Sequence, residues 1–136
     1  MSTETTRAVV RRYQDALNTG DVDALDDLMA ADVQLPTMMP GFTGRDGAKQ
    51  LARLTLASWP DFTVTIEDLI AEDDQAVARL TLTGTAEHEL LGVIPGTGRS
   101  FRVSGAYHVR VRDGRIVEHT GIEDSLALMA QIQGQG

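Results

Sequence analysis

The chain has 136 residues, 42% hydrophobic and 24% charged, a globular composition with core enough for one domain rather than two. Its 20 acidic and 12 basic side chains leave a net charge of −8 and no cluster of Lys or Arg, so nucleic acid and anionic membranes are poor partners. No cysteine is present, which excludes disulfides, thiolate chemistry and Cys-based zinc sites.

Between Thr6 and Asn18 the residues Val9, Val10, Tyr13, Ala16 and Leu17 fall at helical spacing, with Arg7, Arg11, Arg12 and Asp15 opposite. This predicts an amphipathic helix stopped by Gly20. Asp21 is placed to cap a second, short helix with Val22, Leu25, Leu28 and Met29 as its buried stripe. The apolar loop of Leu35, Pro36, Met38, Met39, Pro40 and Phe42 reads either as a lid over a cavity or as a dimer contact. A third helix is expected from near Asp46 to about Ser58, carrying Leu51, Leu54 and Leu56, before Trp59-Pro60 ends it.

Beyond Pro60 the period changes. Thr63–Ile66 and Val77–Thr83 alternate and are rich in β-branched residues, which predicts two strands joined through Glu72-Asp73-Asp74. A third strand is expected over Phe101–Val111 and a fourth from Ile116 to about Thr120, joined by the tight turn of Arg112-Asp113-Gly114-Arg115. Ser125–Ile132 reads as a short terminal helix, capped by Asp124 or Ser125, before a flexible Gly-Gln-Gly end. Helices first and an antiparallel meander afterwards make an α+β domain over residues 1–136, with the helices covering one face of the sheet and room for a cavity between. The first residues, Met1 to Thr6, lack the basic and apolar regions of a secretory signal, and no apolar run is long enough to cross a bilayer, so the expected location is cytoplasmic.

Chemistry is restricted by what is missing. There is no phosphate-binding glycine loop, nucleophile elbow or His-Glu-x-x-His helix, and the element order supplies no βαβ unit for a flavin or nicotinamide. No cofactor is therefore expected. A three-histidine metal site would need His88, His108 and His119 together, but strand alternation turns His108 away if Tyr107, Val109 and Val111 face inward, so no metal site is expected. His119 shares parity with Val117 and Gly121 and is expected in the cavity beside Tyr107, as an acid/base or as a hydrogen-bonded wall residue. Tyr107 is either a hydrogen-bond donor to substrate or wall, and Asp61 either a helper carboxylate or a turn cap.

Taken in order, Asn18-Thr19-Gly20-Asp21, Asp32-Val33, Trp59-Pro60-Asp61-Phe62, Leu82-Thr83-Gly84-Thr85, Leu91-Gly92-Val93-Ile94-Pro95 and Asp113-Gly114-Arg115-Ile116-Val117-Glu118-His119 resemble the SnoaL-like polyketide cyclase family, within the nuclear transport factor 2-like superfamily. The likeness runs on through Leu126-Ala127-Leu128-Met129. It implies a cone-shaped α+β barrel, N-terminal helices on a strongly bent antiparallel sheet, and a homodimer acting on an apolar polycyclic molecule. It also implies cofactor-free ring closure, isomerisation or hydroxylation. In the cyclases resembled, the acid/base is an aspartate two residues after the histidine of the last strand, helped by a histidine on the preceding strand. Here those positions are Gly121 and Tyr107, leaving His119 alone of that set. The expected catalytic residues are His119, Tyr107 and Asp61, and the expected binding residues are Tyr13, Leu17, Met38, Met39, Trp59, His88, Val109 and Gly121. A non-catalytic binding or dimerisation module of the same fold is the alternative.

Overall fold

The first helix, α1 (Thr3–Thr19), begins where the Ser2 side chain accepts from the Thr5 N–H and ends at Gly20, whose φ of 76° lets its N–H reach back to the Ala16 and Leu17 carbonyls. Thr6, Val9, Val10, Tyr13 and Ala16 form its buried stripe. A 3-10 turn (Val22–Ala24) leads into α2 (Leu25–Leu28). Asp21 precedes that turn but makes no side-chain cap, contrary to the expectation from its type. The computed structural model describes residues 2–134; Met1 and the Gln135-Gly136 part of the expected flexible end lie outside the described residues.

Met29 is buried as expected, yet it opens a strand, β1 (Met29–Gln34), that the sequence did not announce. Helix α3 (Gly44–Ser58) follows, then β2 (Thr63–Glu72), β3 (Gln75–Thr85), β4 (Ser100–Arg112), β5 (Arg115–Glu123) and α4 (Ser125–Ile132). The sheet order is β1-β5-β4-β3-β2. Its last four strands pair antiparallel and β1 lies parallel to β5, so the sheet is mixed rather than wholly antiparallel. Asp113 and Gly114 both take positive φ (52° and 77°), the backbone of a two-residue hairpin turn. Asp124 accepts from the Ala127 N–H at 3.0 Å and is the cap of α4.

Besides the irregular β1–β5 pairing, where Met29 pairs with Ile116 and Gln34 with Glu118, two bulges shape the sheet. One residue is extra in β2 between Ile66 and Asp68, and another in β5, where Arg110 pairs with Glu118 but Val111 pairs with Ile116. Such bulges bend a strand and re-aim the side chains beyond them. Asn18, just inside the end of α1, donates to the Val64 carbonyl and accepts from the Val64 N–H (2.8 and 2.9 Å), which pins the helix to the edge strand β2.

The main core lies between α1, α2 and the sheet and includes Val10, Leu25, Ala78, Val109, Val111 and Ile116. A second cluster under α4 joins Trp59, Ala86, Leu90, Phe101, Val103, Leu128 and Ile132, with Phe62 and Leu82 packed against both. The outer sheet face is left uncovered and shows Ile70, Val77 and Ile122 to solvent. Among the described residues no helix is long and apolar enough to cross a membrane.

Candidate active site

Helix α3 has an apolar stripe, but only Gly47 and Ala48 on it are buried; Leu51, Ala52, Thr55 and Leu56 are half-buried. The reason is a void. A cavity of about 230 Å³ separates this face from α1 and β5, and these four residues line it with Tyr13, Leu17, Met29, Phe62, His119 and Glu123. The expected Leu54 is instead turned to solvent. The volume lies below the roughly 300–1,000 Å³ of drug-sized ligand pockets, which favours the smaller end of the expected polycyclic occupants.

His119 reaches this cavity by way of the bulge. Ile116, opposite Val111, is in the core, so unbroken alternation would have turned residue 119 outward. The extra residue restores it to the inner face, opposite Val109. The parity expected with Val117 was therefore not the cause.

Around the imidazole stand two phenols. Tyr13 Oη lies 3.4 Å from His119 Nε2, with the rings edge to face at 5.6 Å, and the Tyr107 ring is tilted against the imidazole at 5.0 Å. Tyr13 and Tyr107 themselves meet edge to face at 5.8 Å. Burial pushes Tyr13 up to about 12 and raises Tyr107 as well, so both stay protonated donors. Burial likewise lowers His119 to about 4, against a smaller opposing effect of a backbone hydrogen bond, so its imidazole is neutral at pH 7.

That shift fixes an acid-stability prediction. The folded pKa lies below the unfolded value of about 6.5, so the neutral ring contributes its full stability above pH 6.5 and loses it as pH falls through 4. Comparing denaturant unfolding at pH 7 and pH 4, the native chain is expected to lose about 2–3 kcal/mol more than a His119→Gln variant.

The remaining expected site residues divide clearly. Tyr13, Leu17 and Met38 line the cavity. Tyr107 does not; it backs His119, and its hydroxyl is buried without a partner among the described residues. Met39, 43% exposed, points out of the loop. Gly121 borders the imidazole: a Cβ there would lie 3.1 Å from His119 Cε1. Its N–H donates to Thr37 Oγ1 at 2.9 Å, which holds the Met-rich loop over the end of β5.

Four expectations are corrected. Trp59 is in the second cluster, against Phe101 at 5.0 Å, and Val109 is sealed in the main core. His88 is exposed, its backbone N–H held by the Ser58 carbonyl. Asp61 is exposed and accepts from both the N–H and the hydroxyl of Thr85 (2.8 and 2.7 Å), which lowers its pKa. It ties the start of β2 to the end of β3. Asp61→Ala is accordingly expected to cost about 1 kcal/mol in denaturant unfolding and to leave turnover unchanged. Sequence reasoning missed Met29, Leu51, Thr55, Leu56 and Phe62 as lining residues, whereas Glu123, one of the carboxylates it put near element ends where pockets open, does border the cavity.

The three histidines do not converge. His108 sits on the outer face with Nε2 2.9 Å from Gln75 Oε1, and among the described residues no group of three or more His, Asp or Glu is arranged to hold a metal.

A sequence model of the SnoaL-like polyketide cyclase family matches residues 7–132. TsrD from Streptomyces laurentii superposes with a TM-score of 0.88 at 28% identity, over 100% of this chain and 99% of that one. IdmH from Streptomyces antibioticus, a candidate polyketide cyclase, gives 0.81 at 34% identity, over 94% and 98%. AclR from Streptomyces galilaeus, a candidate hydroxylase, gives 0.83 at 22% identity, over 99% and 88%, a likeness of fold alone. No curated protein matches.

Proposed function

We propose that this chain, which belongs to the SnoaL-like polyketide cyclase family, is an acid/base enzyme of polyketide or related secondary metabolism that closes or isomerises a ring in a small, mainly apolar substrate. The observation that carries the reading is a neutral imidazole at the wall of a mainly apolar cavity, steadied by a phenol on each of two neighbouring elements. An uncharged imidazole can accept a proton from a carbon acidified by an adjacent carbonyl. The imidazolium then faces the enolate in a cavity lined mainly by apolar side chains, where opposite charges attract more strongly than in bulk water.

The steps balance without a further reactant. His119 takes the proton, the enolate carbon bonds to a second carbonyl carbon of the same molecule, and the imidazolium returns the proton to the new alkoxide. Before substrate binds, the Tyr13 hydroxyl donates to the ring nitrogen; with substrate bound it turns to a substrate oxygen and leaves that nitrogen's lone pair free for the proton. Tyr107 is a positioning residue that keeps the imidazole from turning. The same reading has two copies meet through the uncovered sheet face at Ile70, Val77 and Ile122.

Gly121 favours a second reading, a binding module, because the position of the cyclase carboxylate carries no side chain. The two separate in one experiment: incubation with one- and two-ring diketones, followed by NMR of the recovered ligand. A product isomeric with the ligand, or one water lighter, supports the enzyme. A ligand bound tightly and recovered unchanged across the panel overturns it in favour of binding.

A further inference from the structure

The cavity has a sign and a size, and together they define an occupant. Among the described residues its lining holds no Lys or Arg, its two titratable interior groups are an uncharged imidazole and an uncharged phenol, and its one acidic side chain is Glu123. Glu123 is exposed and follows His119 and Gly121 at every second position of β5, so all three face the cavity side, with Glu123 at the outer end. It enters none of the ion pairs of the described residues. A chain of net charge −8 adds nothing to attract an anion.

Distance supplies the second constraint. Four residues of extended strand place the Cα atoms of His119 and Glu123 about 13 Å apart, and the two side chains shorten the gap between their polar ends. Gly121, between them, presents no side chain to fill it. An apolar cavity of about 150 Å³ takes a single benzene ring, so 230 Å³ admits one ring and a second fused to it, but not a linear three-ring system.

We propose that the substrate is a one- or two-ring compound carrying a protonated amine, its rings between Phe62, Leu56 and Tyr13 and its ammonium paired with Glu123 at the mouth. This rests on the reading of the cavity as a substrate site and adds to it the charge and size of what enters. Glu123 is then the residue that sets specificity, and a carboxylate at the same place on the ligand is repelled.

Three probes that share a naphthalene ring test the charge: 2-naphthylmethylamine, 2-naphthylmethanol and 2-naphthoate, titrated calorimetrically at low salt. The amine is expected to bind about fivefold tighter than the alcohol, the scale of a partly solvated ion pair, and the acid weakest. In Glu123→Gln the amine and alcohol are expected to become equal while the alcohol keeps its affinity. A three-ring alcohol, 2-(hydroxymethyl)anthracene, is expected to bind at least tenfold more weakly than the two-ring one. An amine no tighter than the alcohol, or a preference that persists in Glu123→Gln, overturns the charge assignment while the cavity reading stands. Equal binding of the three-ring alcohol overturns the size limit. If no probe competes with His119-dependent turnover, the cavity reading itself fails.

Discussion

Replacing His119 by glutamine is expected to lower turnover by about 10²–10⁴-fold, the usual contribution of a positioned acid/base group. Glutamine keeps a hydrogen-bonding end near Tyr13 but cannot carry a proton from carbon to oxygen, so kcat falls while KM stays within a few-fold. The pH profile adds an independent check. A base lowered to about 4 by burial is in its active, neutral form from about pH 5 upward, and protonation removes activity as pH falls through 4. The native chain should therefore show an acid limb near pH 4, which the glutamine variant lacks. Tyr13→Phe separates chemistry from packing: the ring still meets His119 edge to face while the hydroxyl at 3.4 Å is gone. A His119→Gln enzyme retaining more than a tenth of the native rate would remove the histidine from the mechanism.

Most of the fold was legible because its signals are local. The α1 stripe repeats at 3.6 residues, β3 and β4 alternate at 2, and Asp113-Gly114 supplies the two positive φ values of a tight turn. Strand β1 was not legible because its Ala30-Ala31-Asp32 stretch has neither β-branched residues nor alternation. Only Met29 and Val33 are buried there, and parallel pairing with β5 across a long intervening stretch of chain makes it a strand. The site divides in the same way. A histidine on a core-facing strand can be read from sequence, but a bulge cannot, so His119 was placed on the correct face by an alternation that Val117 interrupts. Leu51, Ala52, Thr55 and Leu56 look like any core stripe; that they border a void depends on what α1 and β5 leave unfilled. Asp61 and Trp59 show the converse. Both stand in the segment that carries the family likeness, and both serve the scaffold, Asp61 through Thr85 and Trp59 through Phe101.

The second large effect belongs to that scaffold. Trp59 is 5% exposed, wedged against Phe101 at 5.0 Å and Phe62 at 5.8 Å in the cluster that α4 closes. Trp59→Ala empties the largest side chain of a small core and is expected to cost about 3–5 kcal/mol, read as a shift of the denaturant midpoint at unchanged slope. Phenylalanine should cost much less. It keeps a ring against Phe101 and removes the indole N–H, which is buried with no partner among the described residues and carries a desolvation cost of about 1–3 kcal/mol. Because Phe62 packs against both this cluster and the cavity-bordering core, a wall of the cavity leans on Trp59 without Trp59 entering it. Trp59→Phe should therefore leave the affinity for 2-naphthylmethanol within about twofold of native, since Trp59 does not line the cavity and the phenyl ring still backs Phe62. A tenfold loss of that affinity in a well-folded Trp59→Phe protein would put the indole back in the binding site and place the ligand nearer α4 than the cavity beside His119.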